Sequence, residues 1–134
     1  MYNETITYYS KNPFNKFQME NSTISYAQDN DSCWDSLTIY LKINNNIIEN
    51  WSFIWDTTII TTACSWVFWE SIIWKNLEDV LVCDYKYIIE LIWEEISDRR
   101  KKASVFGILT TRNAIHRYLN DWKKDDFDDI IIKN

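Results

Sequence analysis

The sequence predicts an α+β fold: a small antiparallel β-sheet of about three strands, with helices packed on one face and a long C-terminal helix. Two observations predict it. Apolar and polar residues alternate over Leu37–Ile43, and a second strand pattern follows the turn at Asn44–Asn46, which is typical of a half-buried hairpin. The helical patterns come after these strands, as in domains whose helices cover one face of an antiparallel sheet.

The strands occupy the first half of the chain. Residues 1–23 are rich in Asn, Ser and Tyr, contain the single proline, and predict an irregular N-terminal arm. A weak pattern predicts a short first strand at about Thr23–Gln28. Leu37–Ile43 forms the next strand, Asn44–Asn46 the turn, and Ile47–Ile54 the returning strand of the hairpin.

Helical patterns and capping residues follow the hairpin. After a loop at Trp55–Thr58, the helices are expected at about Ile60–Ile73, after the N-cap Asn76, at Asp84–Ile92, and from Ser97 or Asp98 to about Leu119. Residues 120–134 contain the run Asp125-Asp126-Phe127-Asp128-Asp129 and predict a solvated acidic tail with a small docking patch. Residues 1–134 are therefore expected to form a single domain.

Composition excludes several classes of function. The net charge of −6 disfavours nonspecific nucleic-acid binding, and no apolar run approaches the roughly 18 residues of a membrane span. Three cysteines without disulfide-framework spacing fit a reducing compartment, so we expect a cytoplasmic protein. One histidine, no Ser/His/Asp grouping and no phosphate-binding loop favour a protein that is not an enzyme.

The chain has eight tryptophans and one glycine, although a typical chain of 134 residues contains roughly nine glycines. Trp74 and Trp122 follow helical stretches, where a residue with positive φ is favoured and a bulky aromatic is a poor choice. The hypothesis is that UGA codons, read as glycine in the source organism, are written here as tryptophan. The alternative is a Trp-rich protein with a stacking or membrane-interface role, against which the glycine deficit argues.

This UGA recoding hypothesis makes structural predictions. Trp34, Trp55 and Trp74 should be solvent-exposed or at positive φ, because glycine is favoured in such turns. Trp66 and Trp69 should crowd the packing between helix and sheet. Finding most of the tryptophans well packed in the core at ordinary backbone angles would count against recoding.

Five motifs follow one another in a fixed order. They are Asn12-Pro13-Phe14-Asn15, Cys33-Trp34-Asp35, Phe53-Ile54-Trp55, Trp74-Lys75-Asn76-Leu77-Glu78 and Arg100-Lys101-Lys102-Ala103. With glycine in place of tryptophan, they resemble the Asn-Pro-x-Asn, Cys-Gly-Asp, Phe-x-Gly, Gly-Lys-x-Leu-Glu and Arg-rich segments of the U-type iron–sulfur cluster scaffold family. That family groups IscU, SufU and the N-terminal domain of NifU, and the resemblance extends to Leu119.

The resemblance implies a ligand set. In that family three cysteines and an aspartate hold a 2Fe-2S cluster or a zinc ion, for which thiolates are well suited. Position by position, the first cysteine corresponds to Cys33 and the carboxylate to Asp35. The second cysteine corresponds to Thr58 and the third to Ala103, so two thiolate ligands are missing. Cys33 and Asp35 are therefore the metal and cluster ligands that the resemblance implies.

The remaining candidate ligands have competing interpretations. Cys64 is either a substitute ligand or a buried core residue, and it lies roughly 9 Å along the helix from position 58. Cys83 follows apolar residues on a helical face and is expected in the core. His116 is expected to be solvated or to cap a helix end. Asp56 would add an oxygen ligand or support the N-terminus of the helix that Thr57 and Thr58 cap.

The resemblance implies a scaffold that accepts sulfur from a cysteine desulfurase at Cys33 and passes clusters to client proteins. An alternative, favoured by Thr58 and Ala103, is a degenerate module of the same fold that binds no metal and contacts a desulfurase or another assembly partner. A third reading is a homodimer, in which Cys33 and Asp35 of two chains share one cluster.

Overall fold

The computed structural model describes residues 15–30, 35–93 and 96–131, together with Glu4 and Tyr8. Most of the N-terminal arm, including the first three residues of the Asn-Pro-x-Asn motif, lies outside the described residues. Cys33, Trp34 and residues 132–134 also lie outside them.

Three antiparallel strands form a sheet in the order β1-β2-β3: β1 (Ile24–Asn30), β2 (Asp35–Asn44) and β3 (Ile47–Asp56). Asn45 and Asn46 form the hairpin turn with φ of 54° and 66°, a region that asparagine tolerates better than most residues. The predicted sheet is thereby confirmed. Strand β3 is longer than expected, because Trp55 and Asp56 continue the pairing with β2 instead of forming a loop.

The helices follow the predicted order. They are α1 (Ile59–Ile72), α2 (Leu77–Leu81), α3 (Tyr85–Ile92), a 3-10 turn (Asp98–Arg100) that runs into α4 (Lys101–Leu119), and α5 (Phe127–Ile130). The predicted cap Asn76 accepts a hydrogen bond from the Asp79 amide (2.9 Å), and Asp84 caps α3 in the same way. Among the described residues, no helix combines the length and apolar composition needed to cross a membrane.

One hydrophobic core joins the sheet to the helices. Leu37, Ile39, Leu41 and Ile43 alternate along β2 and are all buried in it. Helix α1 has buried residues around most of its circumference, and it packs along α4. Both helices therefore have to be apolar on more than one face, which explains why neither shows a clean amphipathic pattern.

The C-terminal segment is not a fully solvated acidic tail. Asp125 Oδ2 accepts a hydrogen bond from Arg112 Nε (2.9 Å) and lies 3.0 Å from His116 Nε2. His116 Nδ1 lies 2.8 Å from Asp121. The expectation that this histidine is solvated or caps a helix end is therefore wrong. The chain reverses after α4 and returns along it, which buries Ile130 in the core.

Three tryptophans occupy left-handed backbone positions. Trp74, Trp93 and Trp122 have φ of 70°, 58° and 66°, and they are 70%, 92% and 92% exposed. The prediction for Trp74 is confirmed. The prediction for Trp55 is wrong, because strand pairing gives it an extended backbone and Lys16 Nζ lies 3.8 Å from the centre of its half-buried ring.

Three other tryptophans form part of the core. Trp51, Trp66 and Trp69 are buried, with the Trp51 ring 6.0 Å from Trp66 and 5.0 Å from Trp69. The Trp69 indole N–H donates to Thr111 Oγ1 (2.8 Å). The expected crowding by Trp66 and Trp69 is absent, because their rings lie at the separations usual for aromatic pairs. The structure thus separates tryptophans that suit their positions from tryptophans that do not.

Candidate metal and sulfur site

Asp35 opens β2 and points its carboxylate at the start of α1. Its side chain is buried, with 3% of the residue exposed. The Thr58 amide donates to Asp35 Oδ1 (2.9 Å), and the Thr61 hydroxyl donates to Asp35 Oδ2 (2.6 Å). The carboxylate therefore joins the first residue of β2 to the first turn of a helix more than 20 residues away.

This arrangement resembles a capping box, except that the accepting side chain comes from β2 and not from the helix itself. In the usual motif the N3 side chain accepts a hydrogen bond from the N-cap amide. Here Thr58 is the N-cap and Thr61 occupies N3, but Asp35 accepts from both. The predicted capping by the Thr57 and Thr58 side chains was wrong for Thr58, whose side chain makes no cap hydrogen bond. A carboxylate stabilises the start of α1 more than a neutral side chain would, because the helix carries partial positive charge at its N-terminus.

Thr58, where the resemblance places the second family cysteine, is part of a threonine network. Thr58 Oγ1 lies 3.3 Å from Thr61 Oγ1, and Thr57 Oγ1 lies 2.7 Å from Thr62 Oγ1. The Thr62 hydroxyl donates to the Thr58 carbonyl (3.0 Å). Neutral hydroxyls lack the soft thiolate character that zinc and iron–sulfur units prefer. This part of the site satisfies its own hydrogen bonds without a metal.

Ala103, where the resemblance places the third family cysteine, offers no ligand atom in its side chain. Ala103 lies in the first turn of α4 and is buried in the core, where its methyl group offers no lone pair. Among the described residues, a hydrogen bond directly joins Asp35 and Thr58, two of the positions at which the resemblance implies ligands. Asp56 ends β3 and is exposed.

The two described cysteines belong to the core. Cys64 is fully buried in α1, which is the second of the two interpretations that the sequence allowed. Cys83 is also buried, as predicted, and its Sγ lies 3.5 Å from the Asp79 carbonyl. Burial raises the pKa of the Cys83 thiol to about 11, so little reactive thiolate forms at neutral pH. Neither residue has the features of a sulfur acceptor.

Within the described ranges, no three His, Cys, Asp or Glu side chains are grouped so that they could hold a metal ion.

Thr61 is the site residue that sequence reasoning missed. Its spacing of three from Thr58 is the capping-box spacing, which would have marked it as an N3 residue. The partner in this case comes from a distant strand, however, and no local pattern indicates that.

The sequence profile of the NifU-like N terminal domain family matches residues 1–125. The chain belongs to this family. It is 26% identical over 80 residues to the iron-sulfur cluster assembly scaffold protein IscU of Thermotoga maritima. That match covers 60% of this chain and 56% of the relative, so the chain spans just over half the length of the relative.

Two solved structures have the same fold. The N-terminal part of a NifU-like protein from Brucella abortus superposes with a TM-score of 0.73 at 12% identity, covering 90% of this chain and 95% of that one. FiSufU, a scaffold assigned to the SUF system of Fervidobacterium islandicum AW-1, gives 0.71 at 24% identity over 85% and 96% of the two chains. The predicted α+β fold and the family resemblance are therefore both confirmed.

Proposed function

We propose that this chain acts in iron–sulfur cluster assembly as a scaffold-like carrier and not as an enzyme. The family match over residues 1–125 is the observation that carries the proposal. The chain would work in the cytoplasm, take sulfur from a cysteine desulfurase, and hand a cluster or its components to client proteins. The cluster is cargo that the chain holds in transit.

In this role Cys33 is the sulfur acceptor and Asp35 supplies an oxygen ligand. The Cys33 thiolate attacks the terminal sulfur of the desulfurase persulfide, so that Cys33 becomes the persulfide and the desulfurase cysteine leaves as a thiolate. Cys83 is unsuited to this step because it is buried and its pKa is raised. A carboxylate beside the thiolate would bind iron or zinc less firmly than a fourth thiolate, which favours release.

The test is sulfur transfer followed by anaerobic reconstitution. The chain is incubated with a cysteine desulfurase and cysteine, and the persulfide is located by mass spectrometry. In the parent chain we expect the persulfide on Cys33 and not on Cys83. The Cys33→Ser variant should acquire no persulfide. Iron and sulfide are then added and visible absorption of a cluster is recorded. A parent chain that acquires neither persulfide nor cluster would defeat the proposal.

A second candidate is an interaction module that contacts the desulfurase without holding metal. The observation that favours it is the site itself, where both oxygens of Asp35 are hydrogen-bonded within the chain and Ala103 replaces a thiolate. A Cys33→Ser variant that captures the desulfurase with undiminished affinity, combined with a parent chain that binds no iron, would select this candidate over the carrier.

We also infer that Trp74, Trp93 and Trp122 are glycines in the source organism, read there from UGA codons. All three have φ between 58° and 70° and project into solvent. The other described non-glycine residues at positive φ are all asparagines, the usual substitute for glycine in this region. Trp51, Trp66 and Trp69 fill the core, and their packing gives no reason to replace them.

Glycine at these three positions is expected to stabilise the chain. In the left-handed region a residue with a Cβ is destabilised by about 1–2 kcal/mol relative to glycine. Part of the stability gained by substituting glycine is offset by the greater freedom of glycine in the unfolded chain. The triple variant Trp74→Gly, Trp93→Gly, Trp122→Gly should therefore melt about 6 °C higher. Thermal unfolding followed by circular dichroism measures this, and an unchanged or lower midpoint would contradict the backbone argument.

The codons themselves decide the inference. Sequencing the gene should find UGA at positions 74, 93 and 122. UGG triplets at these three positions would overturn it, whatever the stability of the variant. Position 34, inside the Cys33-Trp34-Asp35 motif, is read in the same experiment.

A further inference from the structure

His116, in the last turn of α4, has a carboxylate at each of its two ring nitrogens. Its Nδ1 lies 2.8 Å from Asp121 Oδ2, and its Nε2 lies 3.0 Å from Asp125 Oδ2. The ring is buried, with 8% of the side chain exposed. Both carboxylates belong to the C-terminal segment (residues 121–131), which returns along α4. This histidine therefore joins the segment to the helix at two points.

A neutral imidazole cannot satisfy both contacts. It has one N–H group, and the lone pair of its other nitrogen would face a carboxylate oxygen. An imidazolium has two N–H groups and can donate to both carboxylates in charge-assisted hydrogen bonds. We propose that His116 is a proton-dependent fastener of the C-terminal segment. The ring takes up one proton from water when the segment docks, and it returns that proton when the segment leaves.

Both carboxylates are also held as acceptors by other groups. The Lys123 amide donates to Asp121 Oδ1 (2.9 Å), and this hydrogen bond is the main cause that lowers the pKa of Asp121. Asp125 Oδ2 accepts a further hydrogen bond from Arg112 Nε (2.9 Å). The second proton of the His116 ring therefore has to come from water and not from either aspartate.

Cationic groups and a phenol also surround the ring. They are Arg112 and Arg117 of α4, Lys123 and Lys124 of the C-terminal segment, and Tyr26 of β1. Arg112 is paired with Asp125, whereas Arg117 and the two lysines are exposed, so that solvent and salt screen their charges. The cations oppose a charged ring, but the two carboxylates in contact with its nitrogens are screened less.

Other contacts hold the same segment without depending on a proton. The Asp125 amide donates to Asn113 Oδ1 (2.7 Å), and Asn113 Nδ2 donates to the Asp125 carbonyl (3.1 Å). Ile130 is buried in the core. Loss of a proton from His116 therefore weakens the attachment of the segment without releasing all of it, and its effect on stability is limited.

Asp121→Asn tests the fastener. The asparagine amide can donate to the bare nitrogen of a neutral ring, so this variant does not require the second proton. The Asp121 side chain is 26% exposed, and its replacement leaves the core unchanged. Asp128→Asn removes the same charge from an exposed position of the same segment and is the matched control. Melting temperature is measured from about pH 6 to about pH 9, through the upper end of the interval in which histidine titrates.

At about pH 6, Asp121→Asn should melt about 4 °C below the parent chain, because it loses a charge-assisted hydrogen bond. The difference should vanish or reverse by about pH 9, where a lone pair of the parent ring faces a carboxylate. The sign follows from linkage: the docked state holds the extra proton, so its advantage is present at low pH and lost as the pH rises. Asp128→Asn should keep a constant offset from the parent.

The parent chain supplies a second test that needs no variant. His116 is the single histidine in the sequence, so its ring signals can be identified directly in NMR spectra. At about pH 6 both ring N–H protons should give separate, slowly exchanging signals, and one of them should disappear as the pH rises. A single ring N–H signal at about pH 6 would overturn the proposal, because the ring would then donate to one carboxylate alone.

Two outcomes of the melting experiment would overturn it as well. If Asp121→Asn stayed below the parent chain by the same amount at every pH, Asp121 would act through a contact that no proton controls. If the two proteins melted alike at about pH 6, the contact between Asp121 and His116 would not fasten the segment.

Discussion

Replacing Trp69 by glycine is expected to lower the free energy of unfolding by about 4–6 kcal/mol. Loss of a fully buried tryptophan ring costs roughly 3–5 kcal/mol, and glycine inside a helix adds up to about 1 kcal/mol. The ring lies 4.7 Å from Phe53 and 5.0 Å from Trp51, between α1 and β3. Its removal also deprives Thr111 of the indole N–H that donates to it.

The same substitution at Trp74 provides a matched control with the opposite sign. Trp74 is exposed at φ 70°, so Trp74→Gly should raise the free energy of unfolding by up to about 1 kcal/mol. Equilibrium urea denaturation of both variants measures the difference. If Trp69→Gly proved as stable as the parent chain, the aromatic cluster would carry no stability, and position 69 would join the positions inferred to be glycine.

The fold could be predicted because its signals are local. The alternation over Leu37–Ile43 and the asparagines of the hairpin turn specify β2 and the reversal that follows it. The caps at Asn76 and Asp84 specify where α2 and α3 begin. Element boundaries were less accurate, as at Trp55, where pairing with Leu37 extends β3 beyond the expected loop.

The candidate site could be predicted only in part, since its interactions join distant segments. The family resemblance indicated Asp35, but the contact with Thr61 spans 26 residues and leaves no periodic signal. His116 was misjudged for the same reason. Its environment depends on Asp121 and Asp125, which return along α4 only because the chain reverses at Asn120, where φ is 55°.

The tryptophans show where composition alone misleads. The glycine deficit gives no reason to distinguish one of the eight tryptophans from another. Backbone angle and burial, in contrast, divide the described tryptophans into those that suit their positions and those that glycine would suit better. Trp93 combines φ 58° with 92% exposure, a position that glycine suits better. Trp66 is fully buried, with Phe53 5.8 Å from its ring. A codon hypothesis therefore has to be tested position by position.

Replacing Gly107 by alanine is expected to lower the free energy of unfolding by about 3 kcal/mol or more, as overpacking of a rigid contact does. Gly107 lies in α4 where that helix crosses α1. An added Cβ would lie 2.3 Å from Ser65 Oγ and 2.8 Å from Ser65 Cα. Because the second of these atoms belongs to the backbone, no side-chain rotation relieves the contact, and the two helices have to move apart.

Helix propensity predicts the opposite result, which makes the experiment decisive. Alanine is about 1 kcal/mol better than glycine inside a helix, so Gly107→Ala should stabilise the chain if α1 and α4 had room between them. Ser65→Gly removes the Oγ and Cβ atoms that the new methyl group meets. The double variant should therefore recover part of the loss, and urea denaturation of the four proteins gives the coupling energy. Additive effects of the two substitutions would show that Gly107 and Ser65 are not in contact.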